Sequence, residues 1–407
     1  MNPVAESSTS HTTIQEAPLD EEPPGSKPPP FVFHGVQVLC QRPPEPVVPL
    51  PTFALRPPRG VVILYSQTEK LGQADNKDLL ADLETIATAR AVAQVLRQYT
   101  DLEVHLVPAL RQVETKLRAY PPEDYLVFNL FEGTDGLVDQ QGNSILDEEA
   151  RAAFVLQTLK YRFTGADHCT IALAANKAQA KAALKRGGVL TPPWRVFAHP
   201  DEVSDEFLEN LAFPLIVKPV AEDSSLGIDV EAVVSDLQSL RKRVALITKH
   251  YRQNALVESF IDGREFNVAL WGNPPQVLPL AEVNLSALGS PEKRIVSFAA
   301  KWEESSFEYQ HTPVICPAIV SDDLAARIHD TALRAWEIVG GRCGYGRVDM
   351  RVRDGQVYVL EVNPNPSIAP DAGFARAARA AGIQYPQMIL RILSLIQEDA
   401  HVYHSPS

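Results

Sequence analysis

The stretch VLEVNPNPSI, residues 359–368, places a carboxylate, Glu361, and a carboxamide, Asn363, two residues apart and then ends in two prolines. Alternate residues of a strand face the same way, so Glu361 and Asn363 share one face while Leu360 and Val362 take the other. Just upstream, YGRVDMRV (345–352) reads as a second strand on which Arg347 and Asp349 share a face. The intervening RDGQ carries Asp354-Gly355, so the two strands form a hairpin, and a loop of about three to five residues puts Asp349 beside Glu361 to within one register step. Two carboxylates and a neutral amide oxygen make a hard-oxygen site, suited to Mg²⁺ bridging nucleotide phosphates rather than to zinc. Pro364 and Pro366 stop strand pairing where a metal and a substrate would sit. The same residues also fit a solvated hairpin with an incidental charge pair.

A second cluster bears on that choice. Lys218 stands inside the apolar strand FPLIVKPV (213–220), where an unpaired ammonium is costly, so it is expected to meet an anion. The alternative is a lysine snorkelling from a sheet edge. The loop that follows carries Ser224, Ser225 and Gly227, whose hydroxyls and backbone N–H groups can close over phosphates. Neither GxxxxGK[ST] nor a GxGxxG after the first strand occurs, so a nucleotide site here is neither a P-loop nor a Rossmann fingerprint.

The elements that must hold these residues read as follows. GVVILYS (60–66) is a short apolar strand of the kind buried in a parallel sheet, and 77–99 carries a helical apolar stripe. Residues 102–109 and 124–133 read as further strands, and this alternation means an open α/β sheet. NKAQAKAALKRGGVLTPPWRVF (176–197) reads as a helix stopped by Gly187-Gly188 and followed by a strand. ALVESFIDGREFNVALWG (255–272) reads as a hairpin about Asp262-Gly263. Strands are expected at 292–299, 345–352 and 356–363, and a C-terminal amphipathic helix at 385–397. Residues 1–58 hold 14 of the 33 prolines, so 1–30 is expected to be disordered and 31–58 extended.

Bulk properties narrow the partners. A chain of 407 residues suggests two or three domains. A formal charge of −13 argues against nucleic-acid or anionic-membrane partners, which need a basic face. Four dispersed cysteines without a CxxC pair read as free thiols. No apolar run reaches the length of a membrane span, and the N-terminus lacks a signal pattern, so the expected location is cytoplasmic.

The ordered motifs NK…K (176–181), FPLIVKP, DSSLG, ALVESFIDGREFNVAL, AAKWEES, CPA (316–318), GYGRVDM and LEVNPNPSI resemble the ATP-grasp ligases, and more closely the D-alanine–D-alanine ligase branch. NLFEGTDG (129–136) and RFTGADHCTIALAANK (162–177) match that branch's style, so the resemblance covers roughly 60–400. It implies the ATP-grasp fold: after a leader at 1–58, an open α/β N-terminal domain (59–167), then two α+β subdomains (168–258 and 259–400) that clamp ATP. By resemblance Lys177 and Lys218 grip the ATP phosphates, under the loop bearing Ser224 and Ser225. Glu258 takes the adenine amino group with the backbone near Ile261, and Glu265 the ribose. Lys301 is the lid lysine, Asp349, Glu361 and Asn363 are Mg²⁺ ligands (Mn²⁺ could substitute), and Arg347 lies beside the acyl phosphate. Arg347, Lys301 and Ser224 are thus the implied catalytic residues, in an ATP-dependent carboxylate–amine ligation of small molecules.

The chain departs from the family on the substrate side. Trp302 stands where a tyrosine usually follows the lid lysine, and an indole can only donate. Pro364–Ala369 replaces a Thr/Ser-Ser/Asn-Pro-Gly-Met-Thr run, with Ser367 the candidate contact inside it. Glu84 is nearest to the acid that binds the first amino group. Rival readings are an ATP-binding pseudoenzyme or regulatory module, a ligase of a non-amino-acid carboxylate, and a carboxylase of the same superfold. A homodimer is left open.

Overall fold

The computed structural model describes residues 31–33, 36–38, 57–67, 76–109, 112–133, 148–208, 210–223, 225–341 and 344–400. The reading of 1–30 as disordered, most of the expected extended stretch 31–58, Ser224, Cys40 and Cys343 lie outside these residues. Within the unit Met1–Arg42, strands β1 (Phe31–Phe33) and β2 (Val36–Val38) pair antiparallel. All that follows belongs to the unit Pro43–Ser407.

Strands β3 (Gly60–Ser66), β4 (Glu103–Ala109), β5 (Tyr125–Leu130) and β6 (Arg162–Phe163) form a parallel sheet in the order β4-β3-β5-β6. Every residue of β3 is buried, as its unbroken apolar run requires with helices on both faces. Val61, Ile63 and Phe128 pack with Val92 and Leu96 of helix Asn76–Tyr99 and with Ile389 and Leu393 of helix Tyr385–Ala400. Val62, Leu64 and Val127 face the other way, onto Leu156 of helix Glu148–Thr158.

The second sheet is antiparallel, with β7 (Trp194–Phe197), β8 (Leu215–Pro219), β9 (Val233–Val234) and β10 (Ala255–Ser259) in the order β7-β10-β8-β9. Val217 and Val257 face Leu240 and Val244 of helix Leu237–Leu246. By strand alternation Lys218 and Glu258 take the opposite face, and the register sets them as diagonal neighbours, since Lys218 pairs with Leu256.

The third sheet contains β11 (Arg264–Trp271), β12 (Gln276–Val277), β13 (Ala281–Val283), β14 (Val314–Ile315), β15 (Tyr345–Arg353) and β16 (Gln356–Asn363). Its order is β14-β13-β11-β15-β16, with β12 on the end of β11. Phe266, Val268, Val348, Met350, Val359 and Val362 form one face, against Ile328 and Ala332 of helix Asp322–Ala335. The other face carries polar side chains at alternate positions. Asp354 and Gly355 both have positive φ, 51° and 74°, and Arg353 pairs with Gln356, so the hairpin forms as expected but on a two-residue turn, tighter than the three to five residues expected, because both turn residues adopt the left-handed backbone.

Two expected elements differ. Residues 255–272 are not a hairpin: β10 pairs with β7 and β8, β11 with β13 and β15, and the chain crosses between sheets at 260–263. Gly263 serves close approach there, because a Cβ would lie 2.1 Å from the Val352 carbonyl oxygen. Residues 292–299 are not a strand. Pro291–Lys293 forms a 3₁₀ turn opened by proline, and Ser297 caps a short helix, Phe298–Trp302, by accepting from the Ala300 N–H.

Candidate active site

In the β15–β16 ladder Arg347 lies opposite Asn363 and Asp349 opposite Glu361. From the turn to Met350–Val359 the ladder is regular, and Leu360 is then an extra residue, a bulge between the apolar strand end and the polar one. Leu360 therefore does not simply alternate with Glu361 as a regular strand would have it. Glu361 and Asn363 flank Val362, which is buried in the core.

Asp349 is 6% exposed and nearly saturated with donors. Arg347 forks onto it, Nε to Oδ1 at 2.7 Å and a terminal nitrogen to Oδ2 at 2.8 Å. Asn267 Nδ2, from the facing position of β11, donates to Oδ1 at 2.8 Å, and Asn363 Nδ2 donates to Oδ2 at 3.1 Å. Burial pushes the Asp349 carboxyl up, and Arg347 only partly offsets it, with Glu361 alongside adding to the rise. Glu361 is held well below the usual carboxylate range: burial opposes this, but Lys177, Lys218 and Arg347 together outweigh it.

Helix Lys177–Arg186 starts at an Asn176 cap that accepts from the Gln179 N–H. Lys177 and Lys181, one turn apart, leave it on the same side, both buried. Lys177 Nζ lies 3.1 Å from Asp223 Oδ1 and 3.7 Å from Glu361 Oε2, and donates to the Glu222 carbonyl. Burial works against its charge, yet Asp223 and Glu361 keep its pKa above the ordinary lysine value. Lys181 Nζ stands 3.3 Å from Glu258 Oε1, and Lys218 Nζ 2.9 Å from the same oxygen. Glu258 is 1% exposed; burial is outweighed by the two lysines, so its carboxyl is held low. Lys218 thus meets an anion, the protein's own, as its apolar strand demanded.

At the crossover between sheets, Arg351 is 4% exposed and donates to Glu265 Oε2 at 2.9 and 2.7 Å and to the Ile261 carbonyl at 2.8 Å. Its guanidinium lies 5.0 Å from the Phe260 ring centroid. On the loop after β8, Ser225 has φ 61° and donates through Oγ to the Val296 carbonyl at 3.0 Å. That contact ties the loop to the segment leading into helix Phe298–Trp302, which carries Lys301 with its Nζ 5.1 Å from the Trp302 ring centroid. On the substrate side, Ser367 Oγ donates to Glu84 Oε1 at 2.8 Å, so these two candidates are together at one cavity, which Trp302 does not line.

Against this geometry stand the known proteins. The family model described as D-ala D-ala ligase C-terminus matches residues 184–394. The chain belongs to the D-alanine–D-alanine ligase family. This ligase is 30% identical over 314 residues to the D-alanine–D-alanine ligase of Saccharophagus degradans, covering 76% of this chain and 88% of that one. It is 32% identical over 292 residues to an uncharacterized protein of Sinorhizobium fredii, covering 69% and 79%. The crystal structure of D-alanine–D-alanine ligase from Bacillus anthracis complexed with ATP shares its fold, with a TM-score of 0.61 at 19% identity, over 86% of this chain and 99% of that one. It is an ATP-dependent ligase of C–N bonds on the ATP-grasp fold. Among the described residues, no helix is long and apolar enough to cross a membrane.

The ligase's sequence singles out neither Asn267 nor Arg351, and it gives Lys181 no role. Arg347, Asp349 and Arg351 occupy alternate positions of an otherwise apolar strand, as do Glu265 and Asn267. That period of two was the available signal. Lys181 was visible only as spacing, since nothing local tells a buried lysine on a helix from an exposed one.

Proposed function

We propose that this ligase joins a small carboxylate to an amine through an acyl phosphate, with Mg²⁺ held by Asp349, Glu361 and Asn363 while ATP donates the phosphoryl group. The observation that carries this is the register setting Asp349 opposite Glu361 and Arg347 opposite Asn363, with Lys177 beside Glu361. The donor set fits a hard cation: two adjacent carboxylates that repel each other, Asp349 buried and Glu361 half-buried, plus an amide oxygen. Bound Mg²⁺ would neutralise phosphate charge, which favours phosphoryl transfer.

The chain's own groups do the rest. Lys177 and Lys218 supply fixed positive charge to the phosphates, and Glu258 stores Lys218 in place beforehand. Glu265 and the backbone at Ile261, set by Arg351, offer the ribose and adenine edges. Arg347, already positioned by its fork onto Asp349, holds the oxyanion as the amine attacks the acyl phosphate. Lys301 and Trp302 sit on a segment able to cover the site, which protects an acyl phosphate from water. Ser224 is proposed to act with Ser225 on the phosphate loop. The working domains are proposed as 59–167, 168–258 and 259–400, the location as cytoplasmic, and the partners as small molecules, without nucleic acid. Because Ser367 already bonds Glu84 and Trp302 replaces a hydroxyl donor-acceptor, two D-alanines are expected to be a poor pair.

ADP release measured over a panel of amino acids and small carboxylates tests the reading. Glu361→Gln should lower Mg²⁺-dependent turnover at least about hundredfold, with the melting temperature preserved. Near-normal turnover in a folded Glu361→Gln protein would remove the metal assignment.

A further inference from the structure

The two prolines after β16 end the strand pairing, and the residues that follow are left without a ladder to hold them. Pro364 and Pro366 have no N–H to donate, and the second of them biases residue 365 towards extended backbone. Asn363 is still held by the ladder, opposite Arg347. Ser367, whose Oγ donates to Glu84 Oε1 at 2.8 Å, lies beyond it. Side chains must fix the stretch between the two.

Asn365 does so with both ends of its amide. Oδ1 accepts from the Ala166 N–H at 2.9 Å, and Nδ2 donates to Glu149 Oε1 at 2.5 Å. These partners stand 199 and 216 residues earlier in the chain. Glu149 is in the first turn of helix Glu148–Thr158, which packs on the parallel sheet through Leu156. Ala166 immediately precedes Asp167, which caps helix His168–Ala175 by accepting from the Thr170 N–H at 2.7 Å. Gly165 is matched to the contact: its φ is +90°, and a Cβ there would lie 2.4 Å from Asn365 Oδ1. A carboxylate of the same shape at 365 could accept from Ala166 but would repel Glu149, so the position calls for an amide.

We propose that Asn365 is a positioning residue of the ligation: by clamping 364–367 to Glu149 and Ala166, it sets Ser367 and Glu84, and through them the bound reactant, at a fixed reach from the proposed metal ligand Asn363. The proposal rests on the carboxylate–amine ligase reading and adds to it a residue that need not touch either reactant. A reacting group misplaced by about 1 Å can lose on the order of a hundredfold in rate. Asn363 keeps its place in the ladder without the clamp, so loosening the clamp slows the chemical step and spares nucleotide binding.

The test is ADP release by the full chain with ATP and Mg²⁺, using the most active pair from the panel of amino acids and small carboxylates. Asn365→Asp sets a carboxylate against Glu149 and should lower kcat at least about tenfold, with KM for ATP within about twofold of native. In a Glu149→Gln background the same substitution meets an amide that can donate to it. There the cost of Asn365→Asp should shrink to about threefold or less, a reciprocal exchange that reads the clamp itself. A part in stability alone would lower the melting temperature and leave kcat per folded molecule untouched. Asn365→Ala removes both bonds without adding charge; it should lower kcat in the same way, and it decides the matter where Asn365→Asp does not fold. Native kcat in the folded variant overturns the proposal and leaves the ligase reading standing. So does a rise in KM for ATP as large as the fall in kcat, or an undiminished cost of Asn365→Asp in the Glu149→Gln background. No ADP from any pair with the native protein would bring down the ligase reading, and the proposal with it.

Discussion

Lys181 shows what a buried charge does before any nucleotide arrives. Burial pushes its pKa down to about 8 from an ordinary 10.5, with Glu258 only partly offsetting it and Lys218 adding to the fall. The folded state gives up this proton at lower pH than the unfolded chain, so between those values the unfolded state binds more protons and stability rises with pH. Below about 8 both states are charged and the full burial cost applies. Relative to Lys181→Met, the native protein should therefore gain on the order of 1–3 kcal/mol in unfolding free energy between pH 7.5 and 10. Denaturant titration of both proteins at the two pH values measures this, and parallel pH curves would contradict it. Of the residues proposed to hold the metal and the phosphates, Asp349, Glu361, Asn363 and Lys218 were readable from their types and alternation, and Lys177 only through the family resemblance. Arg351 was not, because a guanidinium that serves a backbone carbonyl and a carboxylate on another strand leaves no mark in its own neighbourhood.

At the scale of elements, the Leu360 bulge makes a sharp prediction. The turn at 354–355 sets the pairs up to Met350–Val359, and the extra residue then shifts the count by one. Deleting Leu360 leaves Asp349 opposite Glu361 and Arg347 opposite Asn363, but removes the local bend and twist that bulges impose. The deletion variant is expected to fold, with a melting temperature within a few degrees of native, while turnover falls about tenfold or more. Unchanged turnover would show that the bend does not aim the carboxylates. The hairpin itself was legible, because Asp-Gly between alternating strands dictates it. The Asp262-Gly263 dipeptide carries the same local signal and misleads, because Gly263 answers to the Val352 carbonyl from another strand. The 292–299 segment misled for a related reason: its apolar residues suggest a strand, but Pro291 and the Ser297 cap decide the backbone.

For the molecule as a whole, the buried clusters that hold the three larger sheets all lie within Pro43–Ser407. Removal of residues 1–42 should accordingly leave the melting temperature and ADP release close to those of the full chain, checked by calorimetry and a coupled assay on the two proteins. Lost turnover in a folded truncation would give those residues a part in the chemistry. The parallel sheet was plain in the sequence, since GVVILYS is apolar throughout and only a two-sided covering suits it. The division of later strands between two sheets was not, because sheet membership depends on partners far along the chain. That division gives the four residues 260–263 an unusual mechanical position. They connect the last residue of β10 to the first of β11, and Arg351 grips them at Ile261. A nucleotide resting on this joint would stiffen two layers at once, so its presence should be heard in amide hydrogen exchange. On adding a non-hydrolysable ATP analogue, exchange should slow at the ends of both β10 and β11, including strand positions that never touch the ligand.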